Sequence, residues 1–154
     1  MTPTTLSIPL LVAVALSAPQ HTMSHSRANQ GMGFDQDKTT HHFLLEKTGG
    51  TIEVTAKDVK DTDSVAQVRM HFKHIATAFA QGDFALPLFV HDTEPPGVAV
   101  MKDRRAQMTF RYDDVDKGGK LSIQTTDPSA LSALHDFLRF QIREHKTGDP
   151  MTPR

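Results

Sequence analysis

Two stretches of the chain decide its fold: residues 41–56 are HHFLLEKTGGTIEVTA, and residues 108–125 are MTFRYDDVDKGGKLSIQT. Each contains a run with strand-forming residues, a Gly-Gly pair and a second run in which apolar residues alternate. Gly-Gly between two such runs is typical of a hairpin, because both central positions of a type I′ turn need a positive φ. The sequence therefore predicts two β-hairpins, with Gly49-Gly50 and Gly118-Gly119 at their turns.

A helix is predicted after each hairpin. The first begins near Thr62 and ends before Gly82, a glycine suited to a helix C-terminus. The second begins at Asp127-Pro128, where Asp is a favoured N-cap and Pro a favoured first residue, and ends before Gly148. Apolar residues at helical spacing give each one an apolar stripe, and the two stripes superpose at an offset of 63 residues: Val65, Val68, Phe72, Ile75, Ala76 and Phe79, then Leu131, Leu134, Leu138 and Ile142.

The segment between the two units is predicted to hold smaller elements. Residues 85–90, ALPLFV, form an apolar run fit for a short strand, and residues 91–98 form a loop because of Pro-Pro-Gly. Residues 98–107 are predicted as a short connecting helix. The fold class is α+β: two pseudo-repeated ββα units share an antiparallel sheet and place their helices on one face. Two strands and one helix cannot bury a core alone, so the units must pack together.

The N-terminal region is expected to lie outside the domain. Residues 6–18, LSIPLLVAVALSA, have the length of a signal-peptide apolar core and are too short to span a membrane. We therefore predict a signal peptide at 1–18, a disordered linker at 19–37, a single α+β domain at 38–149 and a tail at 150–154. This organisation predicts a periplasmic or secreted protein. The alternative is a cytoplasmic protein with a frayed N-terminus.

Composition narrows the classes of partner. The formal net charge of the 154-residue chain is −1, which gives no electrostatic reason to expect nucleic acid or anionic membrane. No integral membrane segment is expected in the mature chain. Cysteine is absent, so any metal site would rest on His, Asp, Glu or Met. A homo-oligomer is left open.

Histidine is the residue type that indicates a metal site, because neutral imidazole is the commonest protein metal ligand. Seven histidines follow residue 40. Side chains of neighbouring strand residues leave opposite faces, so at most one of His41 and His42 joins a given site. His91 ends an apolar run, and we expect His42 and His145 to share its rim of the domain. Together with two helical histidines near the apolar stripes, the candidate metal ligands are His42, His91, His145, His71 and His135.

Three functions compete at this point. The first is a domain that binds copper or zinc through imidazoles, with haem as a less favoured occupant, and with Met70, Met101 and Met108 as soft ligands for Cu(I). The second is a non-catalytic interaction module without a metal site. The third is a metal-assisted hydrolase or lyase in which His91 acts with Asp92 or Glu94 as acid and base. No catalytic residue is assigned by the sequence, and no nucleotide-binding motif is present.

Three segments carry a resemblance: GFDQDKTTHHF (33–43), FVHDTEPPGV (89–98) and HDFLRFQIREHKTGD (135–149). They resemble a small family of exported bacterial proteins of unknown function, over nearly the whole chain after the linker. Members of that family are sometimes labelled aspartate carbamoyltransferase. This chain has about half the length such an enzyme needs, and it lacks the Ser-Thr-Arg-Thr-Arg and His-Pro-Leu-Pro-Arg segments of that enzyme. The resemblance therefore implies an exported protein and supplies no catalytic residues.

Overall fold

The computed structural model describes residues 25–154, so the predicted signal peptide lies outside the described part of the chain. The elements, in chain order, are α1 His25–Met32, β1 Thr39–Glu46, β2 Gly49–Ala56, α2 Thr62–Ala80, α3 Ala85–His91, α4 Val98–Asp103, β3 Met108–Val115, β4 Gly118–Thr125 and α5 Pro128–His145. Short 3-10 turns at Gln36–Lys38 and Arg105–Gln107 precede β1 and β3.

The strands form one four-stranded antiparallel sheet in the order β1-β2-β4-β3. The two predicted hairpins are therefore side by side, and their second strands pair at the centre. Ile52 faces Phe43 on one neighbouring strand and Leu121 on the other, so one face of the sheet is apolar. The predicted α+β class with an antiparallel sheet is confirmed.

Both long helices pack on this apolar face, and each lies mainly over the hairpin of the other unit. Helix α2 contacts β3 and β4, whereas α5 contacts β1 and β2. The hydrogen bonds show the same arrangement, in which a helix contacts the hairpin of the other unit. The guanidinium of Arg69 in α2 donates to the carbonyls of Val115 and Gly118, at 3.0 and 3.1 Å. The interpretation of the two ββα units as an internal repeat stays a prediction.

The Gly-Gly pairs begin β2 and β4 and do not occupy the hairpin turns, so this part of the prediction is wrong. None of the four glycines has a positive φ; Lys117 takes that conformation in the second turn, at φ 62°. These glycines instead allow neighbouring strands to approach each other closely and allow the helices to approach the sheet. A Cβ on Gly118 would overlap the carbonyl oxygen of Val54, and a Cβ on Gly50 would overlap the side chain of Leu138. The small residues let β2 and β4 pair and let the helices reach the sheet.

The ends of the long helices agree with the sequence. The carboxylate of Asp61 accepts a hydrogen bond from the Ser64 backbone N–H at 3.0 Å, and Asp127 accepts one from Ala130 at 2.8 Å. Aspartate at this position satisfies a backbone donor that the helix leaves free. Helix α2 is followed by Gly82 at φ 80°.

Two segments differ from the prediction. Residues 85–90 belong to a helix, because Pro87 lies in its first turn, where proline needs no hydrogen bond, and its apolar residues lie against α1. Part of the predicted disordered linker folds as well. In that part, Ala28 and Phe34 are buried at 0% and 3% exposure, so residues 25–37 complete the core.

The C-terminal residues, of which 150–154 are predicted as a tail, lie along the outer edge of β1. The carboxylate of Asp149 accepts a hydrogen bond from the Phe43 backbone N–H at 2.9 Å. The backbone N–H of Arg154 donates to the carbonyl of Leu45 at 3.1 Å. An uncovered edge strand is a template for unwanted strand pairing, so this segment protects β1.

Candidate functional site

Strand β1 directs His41, not His42, under the helices. His41 pairs with Val54 and lies on the same sheet face as Phe43, whereas His42 lies on the other face. The His42 ring is half-exposed, and its Nδ1 lies 2.9 Å from Oδ1 of Asp149. His42 therefore does not share a site with His91, although it lines an outer polar groove together with His145. The helices cover the face that carries Phe43, and this determines which of the two adjacent histidines is enclosed.

His145, the last residue of α5, forms the centre of a histidine cluster. Its ring stacks on His41 with centroids 5.2 Å apart, and it meets the edge of His91 at 5.4 Å. The phenyl ring of Phe43 lies 5.1 Å away on a third side. The C-terminus of α5, the start of β1 and the end of α3 thus bring three imidazoles into contact.

His91 ends α3 and is 5% exposed. Its Nε2 lies 3.0 Å from the side-chain oxygen of Gln141 in α5, which fixes the ring. The two neighbouring carboxylates have other partners: Asp92 pairs with Arg27 at 2.9 Å, and Glu94 pairs with Lys102 at 3.5 Å. The acid–base arrangement expected for His91 with Asp92 or Glu94 is not formed, because Asp92 takes a left-handed conformation after the helix and is largely exposed.

A fourth histidine, His71 of α2, lies on the other side of the same space. Its ring meets the edge of Phe34 at a centroid distance of 5.3 Å. It is also hydrogen-bonded to the backbone of Met32, at the end of α1. His71 was predicted on the flank of the apolar stripe, and this flank faces the cavity.

The four imidazoles line a partly open cavity of about 70 Å³. The remaining wall is apolar apart from Gln141 and includes the thioether-bearing Met32. The lining residues other than the histidines are Met32, Phe34, Phe43, Ile52, Val54, Phe72, Ile75, Phe79, Leu86, Pro87, Val90, Phe137 and Gln141. This volume exceeds what one water molecule needs and is about half that of an apolar cavity known to hold benzene. It is suited to an ion or a very small molecule.

Burial keeps these imidazoles uncharged. Desolvation lowers the pKa of His41 to about 4, assisted by the nearby His42 and Lys57. Desolvation likewise lowers the pKa of His71 to about 4, and that of His145 well below its ordinary value. The pKa of His91 is also lowered by burial, against the opposing effect of Gln141. At neutral pH the cavity therefore presents neutral rings, the form in which histidine binds metals.

Two ring nitrogens of the cluster are buried and make no hydrogen bond within residues 25–154. They are Nε2 of His41 and Nδ1 of His91. Buried polar atoms in folded proteins nearly always have a partner, so such exceptions need a physical explanation. As the side chains stand, no three His, Asp or Glu side chains in this part of the chain converge on one metal position.

A polar groove of about 400 Å³ lies outside the cavity, on the far side of His41 and His145. These two residues line both spaces, so the stacked pair forms the wall between them. The groove carries Lys57, Arg143 and Lys146 together with acidic side chains. A solute in the groove would meet the rings of His41 and His145 before it reached the interior.

His135 is a structural residue in this fold. Its Nε2 lies 3.0 Å from the carbonyl oxygens of both Glu46 and Gly49, on either side of the first hairpin turn. Arg69 holds the second hairpin in the corresponding way. His135 therefore does not join the cavity, although the sequence made it a candidate ligand.

The soft ligands expected from the sequence also lie elsewhere. Met70 is exposed, and Met101 and Met108 are buried away from the cavity lining. Met32 is the methionine that lines the cavity, and it has no predicted role because it falls in the segment predicted as a linker. The spacing of Ala28 and Met32, one helical turn apart, was the available signal.

No protein-family model, curated protein or solved structure matches this chain. Within residues 25–154, no helix combines the length and apolarity needed to cross a bilayer. The site must therefore be interpreted from its own geometry.

Proposed function

We propose that the domain binds a transition metal ion, copper or zinc, through imidazoles at the cavity. The proposed ligands are His41, His91 and His145, with His71 across the cavity. The observation that carries the proposal is the pair of buried, unpartnered nitrogens, Nε2 of His41 and Nδ1 of His91, in two rings that both contact the ring of His145. A metal ion would give these nitrogens the partner that they lack.

Ring spacing supports this proposal. Two imidazoles bound to one tetrahedral zinc ion, with Zn–N about 2.0 Å, have ring centres about 5 Å apart. The centroids of His145 lie 5.2 Å from His41 and 5.4 Å from His91. Binding then needs rotation of the rings and no large movement of the backbone. The small cavity also favours a bare ion over haem, because a porphyrin would require the helices to separate.

The apolar run near the N-terminus supports export of the protein to the periplasm or its secretion from the cell. Copper and zinc binding by an exported histidine cluster fits a role in metal buffering or transfer. Neither role requires a reaction catalysed by the domain.

Isothermal titration of the full chain with Zn²⁺ and Cu²⁺ tests the proposal. We expect His91→Ala and His145→Ala each to weaken binding by at least about tenfold, or 1.4 kcal/mol. His42→Ala and His74→Ala are the matched controls, since His42 neighbours the cluster in sequence and His74 is exposed on α2. Equal small losses across all four variants would indicate adventitious surface binding and would favour the interaction-module hypothesis.

A further inference from the structure

We infer that the cavity selects a soft, monovalent ion, Cu(I), over divalent zinc or copper. This inference rests on the proposed function and concerns which ion the same site prefers. It is carried by the composition of the cavity wall, where neutral imidazoles stand beside the thioether of Met32 and no carboxylate is present.

No acidic side chain is among the lining residues, and this limits the positive charge of the ion that the site can stabilise. The cost of moving an ion from water into an apolar environment rises steeply with its charge, and only paired charges or ligand bonds offset it. A divalent ion surrounded by neutral rings is offset by ligand bonds alone, because the wall supplies no negative charge. A monovalent ion meets a much smaller penalty in the same surroundings.

The ligand types agree with this charge argument. Thioether sulfur is a soft ligand that favours Cu(I), while imidazole serves both Cu(I) and the divalent ions. Met32 is 9% exposed and ends α1, whose backbone is bonded to His71, so it is held at the cavity. Cu(I) is satisfied by two or three ligands, and His41, His91 and Met32 all line the cavity.

The outer wall of the cavity supplies a route for the ion. His41 and His145 face the polar groove on one side and the cavity on the other. An ion delivered to the groove therefore meets the rings of His41 and His145 before it reaches Met32. Transfer through imidazoles to a thioether moves the ion toward progressively softer ligands.

The test compares Cu(I), Ag(I) and Zn²⁺ binding to the full chain under anaerobic conditions, with a chromophoric chelator as competitor for Cu(I). Ag(I) serves as a monovalent soft probe without redox chemistry. We expect Cu(I) and Ag(I) to bind at least tenfold more tightly than Zn²⁺. We expect Met32→Leu, which keeps the volume and removes the sulfur, to weaken both soft ions at least tenfold and to leave Zn²⁺ unchanged.

Met101→Leu is the matched control, because Met101 is fully buried and does not line the cavity. Tighter binding of Zn²⁺ that depends on His91 would overturn the selection of Cu(I) and leave the proposed function standing. Cu(I) binding that Met32→Leu does not affect would also overturn the inference. Binding of none of the ions in a His91-dependent way would remove both proposals.

Discussion

The metal-free domain should lose stability as the pH falls from 6.5 to 4, because the folded state holds histidines that resist protonation. An unfolded histidine takes up a proton near pH 6.5, whereas the folded pKa of His41 and of His71 is lowered to about 4. Between these values the unfolded state binds more protons. The free energy of unfolding therefore decreases as the pH decreases, and the contribution of these histidines becomes level again below about pH 4.

The size of this effect follows from the two pKa values. Between pH 7 and pH 4.5 each of the two histidines removes about 2.4 kcal/mol of stability, or about 5 kcal/mol together. The lowered pKa of His145 acts in the same direction. Because small domains have total stabilities of about 5–15 kcal/mol, this loss brings the domain close to unfolding at pH 4.5.

Urea unfolding followed by circular dichroism, at several pH values and with a chelator present, measures this dependence. The variant His71→Asn should reduce the loss between pH 7 and pH 4.5 by about 2.4 kcal/mol. His74→Asn, at an exposed position on the same helix, should retain most of the wild-type dependence, because burial and not His74 is the main cause of the lowered pKa of His71. A free energy of unfolding that is constant across this range, or equal behaviour of the two variants, would refute the reasoning.

Three other outcomes are expected. Gly118→Val should cost about 2–3 kcal/mol in urea unfolding, because its side chain would overlap the carbonyl oxygen of the facing strand; a loss below 0.5 kcal/mol would contradict this contact. His135→Ala should lower stability by about 1–3 kcal/mol, since two carbonyls lose their donor, and should leave metal affinity unchanged in titration. If residues 1–17 are a signal peptide, N-terminal sequencing of exported material should begin near Ala18; an intact N-terminus on cytoplasmic protein would contradict export.

The hairpins and long helices could be predicted from the sequence because their signals are local. Alternating apolar residues mark the strands, and Asp127-Pro128 marks the start of α5. The helix caps at Asp61 and Asp127 are 66 residues apart. The apolar stripes instead suggest an offset of 63 residues between the two helices, which differs from the cap offset by about one helical turn. Apolar residues repeat about every turn, and periodicity alone cannot choose between neighbouring turns.

The site was harder to predict because it depends on contacts between distant elements. Strand alternation showed that only one of His41 and His42 could join His145, but the choice required knowing which sheet face the helices cover. Residues 85–90 form an apolar run too short for its periodicity to distinguish helix from strand. Met32 was missed because α1 gains its stability from packing on α3, which its polar composition does not indicate.

Each long helix packs mainly on the hairpin of the other unit, and this arrangement determines when each part of the protein can fold during synthesis. Helix α2 leaves the ribosome before the hairpin that it mainly covers, and most of the apolar face of the first hairpin has no cover until α5, the last helix, has been made. Chains grow at about 5–20 residues per second, so this face is exposed for several seconds of translation. Neither half can be released early as a finished unit. The protein reaches its native state only near completion of the chain, and a truncated product lacking α5 should be a substrate for chaperones or proteases.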